Sequence, residues 1–402
     1  MKKQLLAVLI AASCATPVLA QSNVAIYGLA DAGLQVSNFG NGRKVNLTSG
    51  TEGGSRLGFR GKEDLGDGYH ALFTLEARVE LDTGAQSNGL LSTGVNENIT
   101  AGMSAAGAAA VRSHTPTTIV NSAGALFDRQ SFAGLDTPYG MILLGRQYTP
   151  GVEVFALSDV FDLGTTGTWL NLVMGDAGVS APGIALRANQ ALQYRLQLPS
   201  GVGVSAMYGF NNTGSLNLAK RFAGGNVRYR ANGIDAGIGY NREQDQVGNQ
   251  ALTSLTAGGS YVAGDAKFFA GYHRMKSDHS AFGRALAPLL TTPGDAAALF
   301  SNLKLDGALY TIGMHYRIGV DRVMVGINHL NDKLSTNGDA TLFAVGYDHF
   351  LSKRTNLYAV VAHVSNHGAA QYALGGGGYF GGSTSKRGQD GNALQLGMRH
   401  QF

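Results

Sequence analysis

The chain has 402 residues, enough for one large domain or two to three ordinary ones. Charged residues make up only 14%, glycine occupies 58 positions, and mean hydropathy is −0.02. That balance excludes an oily helical membrane bundle, the 16 Tyr and 17 Phe exclude a disordered chain, and a net charge of +4 is too small for a nucleic-acid footprint.

Residues 1–20 read as an export leader. Lys2 and Lys3 form the positive start, Leu5 to Ala12 the short apolar stretch, and Val18-Leu19-Ala20 a small-residue cleavage site before Gln21. Removing the two lysines lowers the net charge to about +2. The sole cysteine, Cys14, lies in the leader, so the mature chain from Gln21 to Phe402 has no disulfide framework. Cleavage before Cys14 with lipidation is the rival reading, but Ala11-Ala12-Ser13 fits a lipoprotein box poorly. After Gln21 no run of 18 apolar residues offers a membrane helix.

From there on the pattern alternates with a period of two. In 55–62, Arg56, Gly58, Arg60 and Lys62 share one face, against Leu57, Phe59 and Gly61. In 69–81, His70, Thr74, Glu76, Arg78 and Glu80 oppose Tyr69, Ala71, Phe73, Leu75, Ala77, Val79 and Leu81. At the end, Gln395, Gly397, Arg399 and Gln401 oppose Leu394, Leu396, Met398 and Phe402. Such segments are strands with one apolar and one polar face. Sixteen are expected, at 23–36, 54–64, 69–82, 126–136, 140–148, 187–198, 201–210, 220–231, 233–243, 251–262, 265–277, 303–316, 320–331, 338–350, 354–365 and 390–402.

The connections alternate in length. Tight ones such as Leu65-Gly66-Asp67-Gly68, Asn232-Gly233 and Leu351-Ser352-Lys353 face long ones near 83–125, 149–186, 278–302 and 366–389. Short turns at one end and long loops at the other mark an all-β, 16-stranded antiparallel transmembrane barrel, with long extracellular loops and short periplasmic turns. In hydrocarbon every strand N–H and C=O needs a partner, so the sheet must close. The polar faces then point inward, as a wet wall around an aqueous lumen rather than a packed core.

The segments Val24-Ala-Ile-Tyr-Gly-Leu-Ala-Asp31, Ser55-Arg-Leu-Gly-Phe-Arg-Gly-Lys-Glu-Asp-Leu-Gly66, Arg129-Gln-Ser-Phe-Ala-Gly-Leu135 and Leu144-Gly-Arg-Gln-Tyr148 carry a family resemblance. So do Gly346-Tyr-Asp-His-Phe-Leu-Ser-Lys-Arg-Thr355 and Gly397-Met-Arg-His-Gln-Phe402. Nearly the whole mature chain thus resembles the trimeric general porins of Gram-negative outer membranes, in particular the beta-proteobacterial branch. The resemblance implies a homotrimer in contact with outer-membrane lipid and lipopolysaccharide. It implies a third long loop, 149–186, folded inward as a constriction, and terminal Phe402 as an assembly signal for the barrel-insertion machinery. It also places Arg56, Arg129 and Arg187 in the family's basic constriction cluster.

Residue by residue, the inward positions near that loop carry Arg56, Arg60, Arg78, Arg129, Arg146, Arg187 and Arg195, and the loop carries Glu153, Asp159, Asp162 and Asp176. Arginine stays charged at any working pH, so basic walls facing an acidic loop make a transverse field that filters ions and small hydrophilic solutes. Seven arginines against four acids suggest mild anion preference. Replacing Arg129 by Glu is expected to shift selectivity toward cations at little cost in stability. The bland alternative for each arginine is a solvated cation.

Other motifs point elsewhere only weakly. Gly201-Val-Gly-Val-Ser-Ala206 fits a dinucleotide fingerprint but leads into a strand pattern, without the helix that phosphate binding needs. His363 and His367 suit a metal on a helix, not on a strand entering a Gly-rich loop, and the ten histidines are expected to be solvated. Trp169 suits loop packing or sugar stacking. No hydrolase signature is present, so neither catalysis, cofactor nor metal is expected. A general diffusion channel, a substrate-specific channel on the same barrel, and a structural or adhesive barrel remain the alternatives.

Overall fold

The computed structural model describes residues 23–86, 96–114, 125–174, 182–214, 218–379 and 381–402. The leader and Asp176 lie outside the described residues. One antiparallel sheet dominates. Its strands are β1 (Asn23–Asn38), β2 (Arg43–Ser49), β3 (Arg56–Gly66), β4 (Tyr69–Arg78), β5 (Gln130–Thr137), β6 (Gly140–Tyr148), β7 (Arg187–Gln197), β8 (Val202–Thr213) and β9 (Ala219–Ala231). They continue as β10 (Ile234–Gln244), β11 (Gln250–Ala263), β12 (Ala266–Ser277), β13 (Leu305–Ile318), β14 (Asp321–Asp332), β15 (Ala340–Phe350), β16 (Thr355–Asn366) and β17 (Gly391–Gln401). β2 and β3 both pair with β1, each strand from β3 on pairs with the next, and β1 closes the ring on β17, with Leu29 opposite Gln401 and Asn38 opposite Asn392.

Seventeen strands fill sixteen positions of the ring, because one position is shared. β1 is 16 residues long and outgrows β3, which pairs only with Asn23–Leu29. The upper half of β1 would expose an open hydrogen-bonding edge to lipid, and β2 covers it by pairing with Ala32–Asn38. Between β2 and β3 the chain turns into the lumen. There the Asp31 carboxylate accepts the Glu52 and Gly53 N–H groups at 2.7 and 2.6 Å and the Tyr358 hydroxyl at 2.6 Å. β2 was absent from the sixteen expected strands because its reason to exist is an unpaired edge, which alternation does not reveal.

The register places apolar side chains outward along the expected parity. Val24, Ile26, Leu394, Leu396 and Met398 are exposed, while Asp31, Gln35 and Gln395 are fully buried. Turns at the periplasmic end are tight. At Asn232-Gly233, φ values of 53° and 78° give the two left-handed residues of a type I′ hairpin.

The lumen departs from the all-wet wall expected above. Inward positions on one side of the ring, Phe269, Met275, Leu309, Met324, Leu330, Leu342 and Val364, pack with Phe155, Phe161, Trp169, Leu172 and Val173 into one apolar core. Those last five residues belong to the segment between β6 and β7. That segment contains helices α2 (Pro150–Leu157) and α3 (Asn171–Met174) and lies inside the barrel. Short helices also occur in other loops: α1 (Ala105–His114), α4 (Ala281–Leu286) and α5 (Pro293–Asn302).

A lane of glycines lets the inner segment approach the wall. Gly237, Gly258 and Gly271 stand side by side in register on β10, β11 and β12, and Gly313 pairs with Gly326 on β13 and β14. A Cβ on Gly258 would meet Ser158 Oγ at 2.3 Å, one on Gly271 Ser158 Cβ at 2.6 Å, and one on Gly313 Val160 Cγ2 at 2.6 Å. Two wall histidines complete the docking. His273 bonds the Gly183 carbonyl at 3.1 Å and meets the Phe155 ring edge-on, and His315 bonds the Val160 carbonyl. The expectation of solvated histidines fails at these two positions, because each sits where the inner segment covers the wall.

Candidate functional site: the constriction

With loop and core filling one side, the open lumen lies against β3–β9. It forms a space of about 820 Å³ lined by Arg56, Arg78, Arg129, Arg187, Glu153 and Asp162, among others. Four arginines converge here because each sits at the loop-side end of its strand or just beyond it. Arg56 opens β3, Arg78 ends β4, Arg129 precedes β5, and Arg187 opens β7.

Tyr148, the last residue of β6, joins two of them. Its hydroxyl oxygen accepts from Arg129 Nη2 at 3.0 Å and from Arg187 Nη2 at 2.8 Å, and the Arg187 guanidinium stands 4.5 Å from the ring centre. Arg129 Nε donates to Glu76 at 2.7 Å in a dry pair, with side chains 5% and 3% exposed. Arg56 reaches the same Glu76 only at 3.8 Å and keeps 24% of its side chain exposed. Arg78 donates to Asp128 at 3.2 Å, to Glu80 at 3.4 Å and to the Gly378 carbonyl at 2.9 Å. Burial pushes the Glu80 carboxyl up to about 7. Arg187 has no acidic group within 4 Å among the described residues, and its buried Nε has no hydrogen-bond partner there. Four guanidiniums therefore face three carboxylates, one of them easily protonated, and Arg187 is the least compensated.

The other two arginines of the expected cluster lie apart. Arg60 is exposed lower on β3, 5.1 Å from the Tyr27 ring centre, and does not line this space. Arg146 is also outside the lining. Its guanidinium donates to the Asp128 carbonyl at 2.6 Å and to Asn189 at 2.5 Å, at the register shift of the β6–β7 pairing between Gly145 and Gln147.

The loop acids divide as well. Glu153 faces the lumen, bound by Arg195 at 2.5 Å and Asn226 at 2.9 Å. Asp162 faces it too, held by Arg322 at 2.9 Å. Asp159 is buried away from the lumen, where it accepts Thr168 Oγ1 and the Phe161 N–H and fixes the turn. Burial pushes its carboxyl up to about 7.

Sequence reasoning missed Tyr148 as the hub and Asp128 as a partner. It also missed a second inward segment: Gly376, Gly377 and Tyr379, from the loop after β16, line the opening. Gly377 N–H donates to Thr51 at 2.9 Å and Gly375 N–H to Asn171 at 2.9 Å, tying this loop to both other inner segments. The run Leu374-Gly-Gly-Gly-Gly378 was its one visible signal, since chain that must thread between other backbones carries no side chains.

A closed, lipid-facing antiparallel barrel with a charged constriction is the architecture of a passive channel. The profile of the family described as Gram-negative porin matches residues 6–369, and the chain belongs to that family. Outer membrane porin protein 32 of Delftia acidovorans is 28% identical over 100% of both chains, and an outer membrane porin of Bordetella pertussis is 26% identical over 100% of both. The solved structure of an anion-selective porin from Comamonas acidovorans superposes with a TM-score of 0.69 at 24% identity. It covers 95% of this chain and 100% of that one, and shares the fold. The protein is an outer-membrane porin, a channel for passive diffusion of solutes.

Proposed function

We propose that this porin passes ions and small hydrophilic solutes with a mild preference for anions, set at the Tyr148-centred arginine cluster. The observation that carries the reading is Arg187, a cation on the lumen wall that, among the described residues, has no carboxylate within 4 Å and no hydrogen-bond partner for its Nε–H. Charged groups lining a space of about 820 Å³ favour transport over a plugged adhesive barrel. The anion selectivity named for the Comamonas acidovorans porin is in keeping with this.

The same reading includes a homotrimer, seated among outer-membrane lipid and lipopolysaccharide. Arg221, Arg242 and Lys276 project outward at the long-loop end of β9, β10 and β12, suited to phosphorylated headgroups. Phe402 supports an assembly role by its placement. Its N–H and C=O bond Gly28 at 3.1 and 3.0 Å, so the terminal residue extends the seam that closes the ring.

Single-channel recording in planar bilayers under a salt gradient tests the proposal. A reversal potential of the sign given by faster anions is expected, and a cation-selective or ohmically silent preparation of folded trimers would overturn it.

A further inference from the structure

The described middle of the long loop between β4 and β5 reaches beyond the rim above its own strands. Its roots, Arg78 and Gln130, stand on the third and fourth positions of the ring, and β12 and β13 stand eight of sixteen positions away. The described middle of this loop, residues 96–114, is nevertheless anchored on the β12–β13 loop. Asp295 at the start of α5 accepts both the N–H and the Oγ–H of Ser104, at 2.6 and 2.7 Å. Asn302, the last residue of α5, donates to the carbonyls of Ile99 and Ala101 at 3.1 and 2.8 Å.

The contact also has its own apolar core. Ile99 and Val111 pack with Phe282, Leu286, Leu299 and Leu303, and Leu218, from the β8–β9 loop, leans against them. A third tie runs to the last loop, where Asn98 donates to the Ala369 carbonyl at 2.6 Å and Gln371 accepts the Glu97 N–H at 3.1 Å. Gly107 fits this latch closely. A Cβ there would meet the Asp295 carboxylate at 2.4–2.8 Å.

A ring of sixteen tilted strands is roughly 30 Å across. Residues 96–114, held by the loop that stands on the wall opposite these roots and by the last loop, lie over the mouth of that ring. We infer that residues 96–114 form a strap across the extracellular mouth that sets the size of solute reaching the constriction. The Ser104–Asp295 and Asn302–Ile99/Ala101 hydrogen bonds hold it closed. Size selection then acts in series. The strap excludes bulky solutes at the entrance, and the arginine cluster sorts the remainder by charge.

The test uses the full mature porin in liposomes. The neutral probes are a mono-, a di- and a trisaccharide, so that charge plays no part. Two variants are compared with the parent: Asp295→Ala combined with Asn302→Ala, and replacement of residues 99–112 by a short Gly-Ser linker. Both are expected to raise trisaccharide entry relative to monosaccharide several-fold, the linker variant more. Ion conductance should change less than twofold and the reversal potential should stay put, because the constriction is untouched. An unchanged trisaccharide-to-monosaccharide ratio in the linker variant, with conductance retained, would overturn the inference. If the linker variant loses conductance, the double substitution decides by the same ratio. A shift in reversal potential with no change in the sugar ratio would likewise place this segment in charge selection and sink the size-filter assignment.

Discussion

Removing the charge of Arg187 isolates electrostatic filtering from folding. The residue has no carboxylate partner within 4 Å among the described residues, so Arg187→Gln strands no buried acid. An ion passing at about 6 Å in largely aqueous surroundings interacts with one unit charge by about 0.7 kcal/mol. Screening at 0.1 M salt reduces this to about 0.4 kcal/mol. The charge favours anions and disfavours cations by similar amounts, so the permeability ratio carries the term twice. Losing it should lower anion-over-cation permeability about three- to tenfold, from roughly 0.8–1.4 kcal/mol at 1.4 kcal/mol per decade. Reversal potentials in a tenfold salt gradient measure this directly, with heat-modifiable mobility as the control for folding. A folded Arg187→Gln channel with the parental reversal potential would refute the role of this cluster.

Arg129→Glu is expected to behave differently from its sequence-based expectation. It would place a second carboxylate beside the dry Glu76 and should cost about 3–5 kcal/mol, seen as a lower urea midpoint for refolding into bilayers. Gly271→Val introduces a branched side chain where a Cβ already meets Ser158 at 2.6 Å. The inner loop should be pushed off the wall, altering conductance while the barrel still assembles. Leu396→Arg, at an outward position 47% exposed, should cost about 2–4 kcal/mol if it lies near the bilayer midplane, read from refolding into vesicles. Asp159 has a carboxyl raised to about 7 against about 4 when unfolded. The folded loop therefore binds a proton that the unfolded chain releases, and its contribution to stability is full below pH 4 and lost as pH rises through 7. Asp159→Asn should flatten that slope, and an identical pH profile of protease sensitivity in parent and variant would contradict it.

Alternation, turn chemistry and loop asymmetry determined the barrel on their own, because a strand facing lipid on one side and lumen on the other must write that geometry into every second residue. That is why the parity of Leu394–Met398 and the tight turn at Asn232-Gly233 were legible. The arginines were legible as inward-facing residues, but not as a cluster. Which of them meet depended on where the strand ends bring Arg129 and Arg187 to Tyr148, while Arg146, on the same parity as outward-facing Ile142 and Leu144, stays out of the lining. Tertiary structure alone decided how the lumen is filled. The glycine lane, the buried His273 and His315, the strand β2 covering an unpaired edge and the strap anchored on Asp295 all answer to chain arriving from distant sequence. Periodicity records the solvent on each side of a strand, and it carries no record of a loop that returns to cover one of those sides.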